Sequence, residues 1–199
     1  LKETIAKLEA ETSENDSLEK ENESLRASLE LTEKYADKVT NTALVLDRSS
    51  LSWMNEITVD LGSDNGVTEG MLVLANGGLV GVVESAYSAS SDVSLLTNSD
   101  ESLKIPVKIS TNSSTLYGIL NGYDTETGSF IISQLNSTEG IESGNTVVTS
   151  DLGGNTPSNL LVGTVNLVET SSKDLSVQVF VTPAADFSNL YSVVIVENE

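Results

Sequence analysis

One change of character, near Thr40–Asn41, constrains this chain more than any other feature. Before it runs a charged segment without Gly or Pro; after it come short runs of Val, Ile, Leu and Thr punctuated by Gly, Asn, Asp and Ser. The first pattern is that of a long helix, the second that of strands joined by turns. A helical stalk on an all-β body suits a spacer or scaffold, because a stalk sets distance and oligomeric state without contributing chemistry. The missing residues point the same way. With no His and no Cys in 199 residues, histidine-based triads, redox pairs and soft-metal sites cannot be built.

Charge is lopsided, with 10 Lys and Arg against 30 Asp and Glu and a formal net charge of −20. Residues 1–43 hold 6 basic and 11 acidic residues, and the remainder holds 4 and 19. Phosphate backbones and anionic lipid surfaces are repelled by such a body, so nucleic acid is not an expected partner. The acid excess serves solubility in a salty extracellular setting; an acidic patch for a basic partner is the second reading. Absence of cysteine excludes only a disulfide-built secreted fold. No stretch reaches the roughly 20 apolar residues that span a bilayer. Leu1 is not an initiator methionine and the apolar rhythm is already running there, which predicts a longer protein with a signal or membrane anchor ahead of this region.

Within the stalk, Leu1, Ile5 and Leu8 set one 4, 3 rhythm, and Leu18, Asn22, Leu25, Leu29, Thr32, Ala36 and Val39 set another. The second series puts Leu18, Leu25, Thr32 and Val39 at d and Asn22, Leu29 and Ala36 at a, and a three-residue stammer near Thr12–Asn15 separates the two registers. A lone Asn at a is satisfied by its twin across a parallel two-stranded coil and penalises other registers. The spacing predicts a parallel homodimer through a seam of Leu18, Asn22, Leu25 and Leu29, weak in isolation because Thr, Ala and Asn interrupt it. A single amphipathic helix folded back on its own β body is disfavoured by the Glu and Lys at flanking positions. Length argues against it too, since about 39 residues would project roughly 58 Å.

Twelve strands can be read beyond the stalk: Ala43–Asp47, Glu56–Asp60, Met71–Ala75, Leu79–Ser85, Val93–Thr97, Ile105–Ile109, Leu116–Leu120, Phe130–Gln134, Thr146–Ser150, Val162–Val168, Leu175–Thr182 and Val193–Val196. The halves echo each other. Gly66-Val67-Thr68-Glu69-Gly70 precedes one strand as Gly140-Ile141-Glu142-Ser143-Gly144 precedes another, and Leu79-Val80-Gly81-Val82-Val83 matches Leu161-Val162-Gly163-Thr164-Val165. Two related six-stranded barrels explain the repetition, because closure removes exposed edges and a mid-strand Gly lets a barrel strand bend. A single twelve-stranded sandwich is the alternative. The expected fold is mainly β: a dimerising coiled-coil helix over 1–40, a first barrel over 43–110 and a second over 114–199, in a chymotrypsin-like but non-catalytic arrangement, with a strand exchanged between barrels allowed by the pattern.

Chemistry finds little support. In the body, Lys104, Lys108 and Lys173 do not end an S-x-x-K motif, and the one such spacing, Ser17 to Lys20, lies on the narrow stalk. Ser102 and Lys104 sit in a strand-like alternation. Asp60, Asp64 and Asn65 ahead of Gly66 lack the spacing and terminal Glu of a calcium loop and read as a turn, as does Asp124-Thr125-Glu126-Thr127-Gly128. Gly77-Gly78 and Gly153-Gly154 lack the helix and Lys of a phosphate cradle. Trp53 and Met54 read as a barrel plug, with an exposed contact anchor as the second role. No catalytic residue, metal ligand or cofactor is expected.

An ordered series of motifs carries a family resemblance. Ile57-Thr58-Val59-Asp60-Leu61-Gly62-Ser63, Gly66-Val67, Gly70-Met71 and Gly77-Gly78-Leu79-Val80-Gly81-Val82-Val83 come first. Gly144-Asn145-Thr146-Val147-Val148-Thr149-Ser150, Gly153-Gly154, Pro157, Val162-Gly163-Thr164-Val165 and Thr182-Pro183-Ala184-Ala185-Asp186 with Leu190 follow in order. From about Ala43 to Val196 the chain resembles the bacterial rod shape-determining MreC family, departing from its usual Asp at Asn145, Gly at Asp151 and aromatic at Thr156. The resemblance implies a non-enzymatic scaffold of the cell-elongation complex, anchored in the cell membrane by one span with this region outside the cytoplasm. Its implied partners are a second copy, possible filaments, MreD, MreB on the cytoplasmic side, and the penicillin-binding proteins that build peptidoglycan. A surface adhesin or secretion adaptor with a coiled-coil stalk is the rival reading, and a two-barrel protease-like enzyme a remoter one.

Overall fold

The computed structural model describes residues 2–48, 56–98, 103–154, 156–170 and 177–198. One helix, α1 (Lys2–Lys34), precedes twelve strands: β1 (Thr40–Arg48), β2 (Glu56–Val59), β3 (Leu72–Ala75), β4 (Gly78–Ala86), β5 (Ser91–Leu95), β6 (Ile105–Ser110), β7 (Thr115–Asp124), β8 (Ser129–Ser133), β9 (Thr146–Thr149), β10 (Leu161–Thr170), β11 (Val177–Pro183) and β12 (Ser192–Val196). They close into two antiparallel six-stranded barrels, in the orders β1-β12-β3-β4-β5-β2 and β10-β11-β8-β7-β6-β9. The expected mainly β fold, two barrels behind a helix, is the one observed.

The barrel boundaries differ from the expected 43–110 and 114–199. β6 belongs to the second barrel, whereas β12 closes the first by pairing with β1 on one side and β3 on the other. Matching β12 to β6 and β1 through β5 to β7 through β11 makes the two neighbour lists identical. The second barrel is one continuous stretch inserted into a first barrel whose sixth strand, β12, follows that insertion in the chain. The repeated glycines occupy equivalent places under this matching. Gly81 in β4 and Gly163 in β10 each follow a slip in strand register, and a Cβ on either would run into a carbonyl of the next strand, Ser94 O at 2.6 Å or Thr182 O at 2.0 Å. Only a bare Cα permits that approach.

Two apolar clusters fill the molecule. Ile57, Val59, Val73, Val93, Val193 and Ile195 form the interior of the first barrel. The larger cluster runs from the second barrel's interior, around Phe130, Ile132, Val162 and Val181, to Leu72, Leu74, Val194 and Val196 on the outer face of the first. β3 and β12 are therefore buried on both faces, which is what a continuous apolar run such as Val193-Val194-Ile195-Val196 requires. The cover on their outer face is α1.

That cover corrects the picture of a projecting stalk. From Ser24 onward α1 and the turn that follows it lie against the β body through Ser24, Ser28, Leu31 and, just past the helix, Tyr35, all buried, at spacings of 4, 3 and 4. The heptad reading had assigned contact to a different face. Seen down the axis at about 100° per residue, the docked face is centred about 120° from Leu18, Asn22, Leu25 and Leu29.

Candidate functional site

Two surfaces present themselves for partners. The first is the predicted seam. Leu18, Leu25 and Leu29 stand 55%, 41% and 60% exposed on α1, with Asn22 exposed beside them. The structure places all four on one exposed stripe of α1. Ile5 and Leu8 are exposed as well, so apolar surface continues toward the N-terminal end. From Ile5 to Glu23 every side chain of the helix is exposed. Its one described ion pair, Lys7 to Glu11 at 3.7 Å, is exposed and contributes a few tenths of a kcal/mol at most, about the value of such i, i+4 pairs.

The second surface is a groove of about 190 Å³ on the second barrel, lined by Pro106, Tyr117, Ile119, Gln134, Leu152 and Gly153 among others. Its rim is built from the turn after β9. The Ser150 hydroxyl accepts from Leu152 N–H at 3.3 Å, and Gly154 N–H closes on Asp151 O at 3.0 Å, making a single 3-10 turn over Asp151–Gly153. The turn sits tightly on β6, since a Cβ on Gly153 would lie 2.6 Å from Pro106 Cγ. Beyond it the Thr149 hydroxyl donates to Pro157 O at 2.6 Å and accepts from Leu160 N–H at 3.0 Å, anchoring the return to β10. Leu152 consequently stands 69% exposed on a fixed support, the most exposed large apolar side chain among the described residues. The opposite wall ends at Gln134, whose φ of +53° turns the chain sharply out of β8, and at Asn136, whose Oδ1 accepts from Tyr117 N–H at 2.9 Å.

The departures from the family pattern fit this geometry. Asn145 Oδ1 accepts from Glu142 N–H at 2.8 Å, a task for a side-chain oxygen that Asp performs equally. Asp151 is not among the residues with positive φ, so its backbone does not demand Gly. The two stretches read as turns, at Asp64–Gly66 and Asp124–Gly128, are turns, and so is a hairpin connection that the sequence reading did not single out. Asn76 and Gly77, at φ +45° and +97°, make the two-residue connection of the β3–β4 hairpin. Asp124 accepts from the Thr127 hydroxyl at 2.7 Å and Glu126 N–H at 3.0 Å, which together hold its carboxyl below the usual carboxylate range. Asp60 is engaged by Leu44 N–H at 2.7 Å, and Asp64 and Asn65 lie in a 3-10 turn capped by Gly66 at φ +84°. No cluster of three or more metal-ligating side chains occurs among the described residues. Trp53, Met54, Ser102 and Lys173 lie outside them.

Among the described residues, the buried serines are the one place that resembles chemistry. Ser28 Oγ and Ser24 Oγ lie 2.7 and 3.1 Å from Ser192 Oγ, and Ser192 N–H donates to Ser24 Oγ at 3.1 Å. Their partners are one another and backbone, with no base to activate a hydroxyl, so the knot is a packing device. Sequence reading missed it because Ser on a helix looks like solvent-facing surface. The doubly apolar strands β3 and β12 were the signal that something must cover them.

The comparisons agree with this architecture. The family model described as rod shape-determining protein MreC, barrel core, matches residues 45–197. The cell shape-determining protein MreC of Streptococcus pneumoniae is 41% identical over 178 residues, 89% of this chain and 65% of that protein. This chain thus spans about 65% of the length of the first curated relatives it matches. The solved major periplasmic domain of the cell shape-determining filament MreC superimposes with a TM-score of 0.75 at 40% identity, covering 81% of this chain and 99% of that one. The MreC chain in a complex between PBP2 and MreC from Helicobacter pylori gives 0.59 at 13% identity over 80% of this chain and 97% of its own, a likeness of fold alone. With the barrel match running from Val45 to Glu197, the chain belongs to the MreC family of bacterial cell shape-determining proteins.

Proposed function

We propose that this chain is the extracytoplasmic part of a membrane-anchored, non-catalytic scaffold of the cell-elongation complex, which holds peptidoglycan synthases in place. Two copies pair through Leu18, Asn22, Leu25 and Leu29, and a segment ahead of this region spans the membrane and reaches MreD and MreB. No helix among the described residues is long and apolar enough to cross a membrane. The barrels act by position: pairing and tethering raise the local concentration of docking sites, so individual contacts need not be tight. Side-by-side association of dimers would extend the same logic to filaments.

The observation that carries this reading is the groove under Leu152, an apolar surface on a rigid, twice-anchored turn. Exposed apolar surface held at fixed geometry is what a transient protein contact uses. Support for the partner class comes from the Helicobacter pylori complex, where an MreC chain of the same fold is bound to a penicillin-binding protein. The test is a photoreactive residue at position 152 in the full-length protein in growing cells, with position 125 on the exposed β7–β8 hairpin as the comparison. A crosslink to a penicillin-binding protein from 152 and not from 125 is expected. Crosslinks from 152 that never include a wall synthase would sink the assignment.

A further inference from the structure

The docked end of α1 touches both barrels at once, at points that belong to different closed sheets. On the first barrel, Ser24 and Ser28 meet Ser192, the opening residue of β12. On the second, the Tyr35 phenol oxygen accepts a hydrogen bond from Leu161 N–H, the first residue of β10, at 3.0 Å. Leu31 lies between these points in the cluster that joins Leu72, Leu74 and Val194 of one barrel to Leu160 and Val162 of the other.

Leu161 is where the barrels meet directly. A Cβ on Gly78 of the first barrel would lie 3.2 Å from Leu161 O and 2.9 Å from Ala184 Cβ, so backbone packs on backbone there. Leu161 also sits at the slip in register between β9 and β10, and the phenol supplies the acceptor for its N–H. Tyr35 is only 6% exposed and the bond is partly buried, which strengthens it over one in open water.

We infer that the last turns of α1 form a clasp that fixes the orientation of one barrel relative to the other, with Tyr35 as the positioning residue. The docked face and the exposed leucine stripe are different sides of one helix, so both can be engaged together. Whatever seizes the leucine stripe therefore holds a lever whose far end sits at the barrel junction. This rests on contacts within one chain and does not depend on the identity of any partner.

The chain has no Cys, so two engineered cysteines label it uniquely. Glu69→Cys and Glu126→Cys, both exposed and one on each barrel, carry spin labels for pulsed dipolar spectroscopy of the full chain, diluted with unlabelled protein. A single narrow distance distribution is expected for the parent sequence. Tyr35→Phe keeps the ring and removes the acceptor; it should at least double the width of the distribution and speed exchange of the Leu161 amide tenfold or more, with both barrels still folded by circular dichroism. Leu25→Ser with Leu29→Ser, on the other face, should leave the width unchanged. A width in Tyr35→Phe equal to that of the parent, or broadening by the Leu25→Ser, Leu29→Ser pair to the same degree, overturns the clasp.

Discussion

Replacing Gly163 by Ala puts a methyl group where β10 and β11 leave no room. The added carbon would lie 2.0 Å from Thr182 O and 2.9 Å from Val181 Cγ1, whereas ordinary contact begins near 3.4 Å. The nearest obstacle is a backbone oxygen of a paired strand, which cannot rotate aside as a side-chain tip would. β11 must retreat by about 1.4 Å, enough to take the N–H···O distances of the adjoining Thr164–Thr182 pair beyond the roughly 3.2 Å limit of a good bond. Two ladder bonds at about 1 kcal/mol each, plus about 1–3 kcal/mol for overpacking, give a loss of about 3–5 kcal/mol. In a domain of this size that corresponds to a melting point lowered by roughly 6–20 °C. Circular dichroism melts should be compared with Gly144→Ala, where φ is +93° but nothing lies within 4 Å of the new carbon. There only left-handed strain of about 1–2 kcal/mol remains. If Gly163→Ala melts within about 2 °C of the parent, or above Gly144→Ala, the close approach of β10 to β11 is not as described.

Two further outcomes test other parts of the structure. Burial first, then the neighbouring charges of Asp92 and Glu84, raises the pKa of Glu56 above its ordinary value. The native state then holds that proton more tightly than the unfolded chain, so stability falls as pH rises from the unfolded pKa through the folded one. Glu56→Gln should accordingly raise the denaturation midpoint at pH 7 and lose its advantage in acid below the ordinary Glu range; an equal gain at both pH values would refute the electrostatic cause. At the seam, Leu25→Glu with Leu29→Glu buries charge in a paired coil and should weaken self-association at least about tenfold, or 1.4 kcal/mol, in sedimentation at high micromolar concentration. A parent that is strictly monomeric there, or a variant that still dimerises, removes the seam from the account.

The twelve strands were legible because each is an apolar run between turn residues, and period and turn chemistry are local properties. Asp64-Asn65-Gly66 and Asp124-Thr125-Glu126-Thr127-Gly128 announced their turns for the same reason. The closure of the first barrel by Val193–Val196 was not legible: side-chain pattern says which face of a strand is buried, not which neighbour it pairs with. Ser24, Ser28 and Tyr35 escaped notice because the leucine rhythm on the other side of α1 gave the stronger periodic signal. The groove depends on the turn at Ser150–Gly153 folding back over Pro106 of β6, a contact between segments far apart in sequence that no local rule announces.

The insertion of one barrel into the other dictates an order of events during synthesis. β6 to β11 form a contiguous unit that can close as soon as it leaves the ribosome. Its host cannot, because the gap between β1 and β3 waits for β12, which follows the whole inserted barrel in the chain. Until Ser192 arrives, α1 has no floor to settle on. Completion of the subunit thus waits on residues made after the inserted barrel, with β12 serving as the latch.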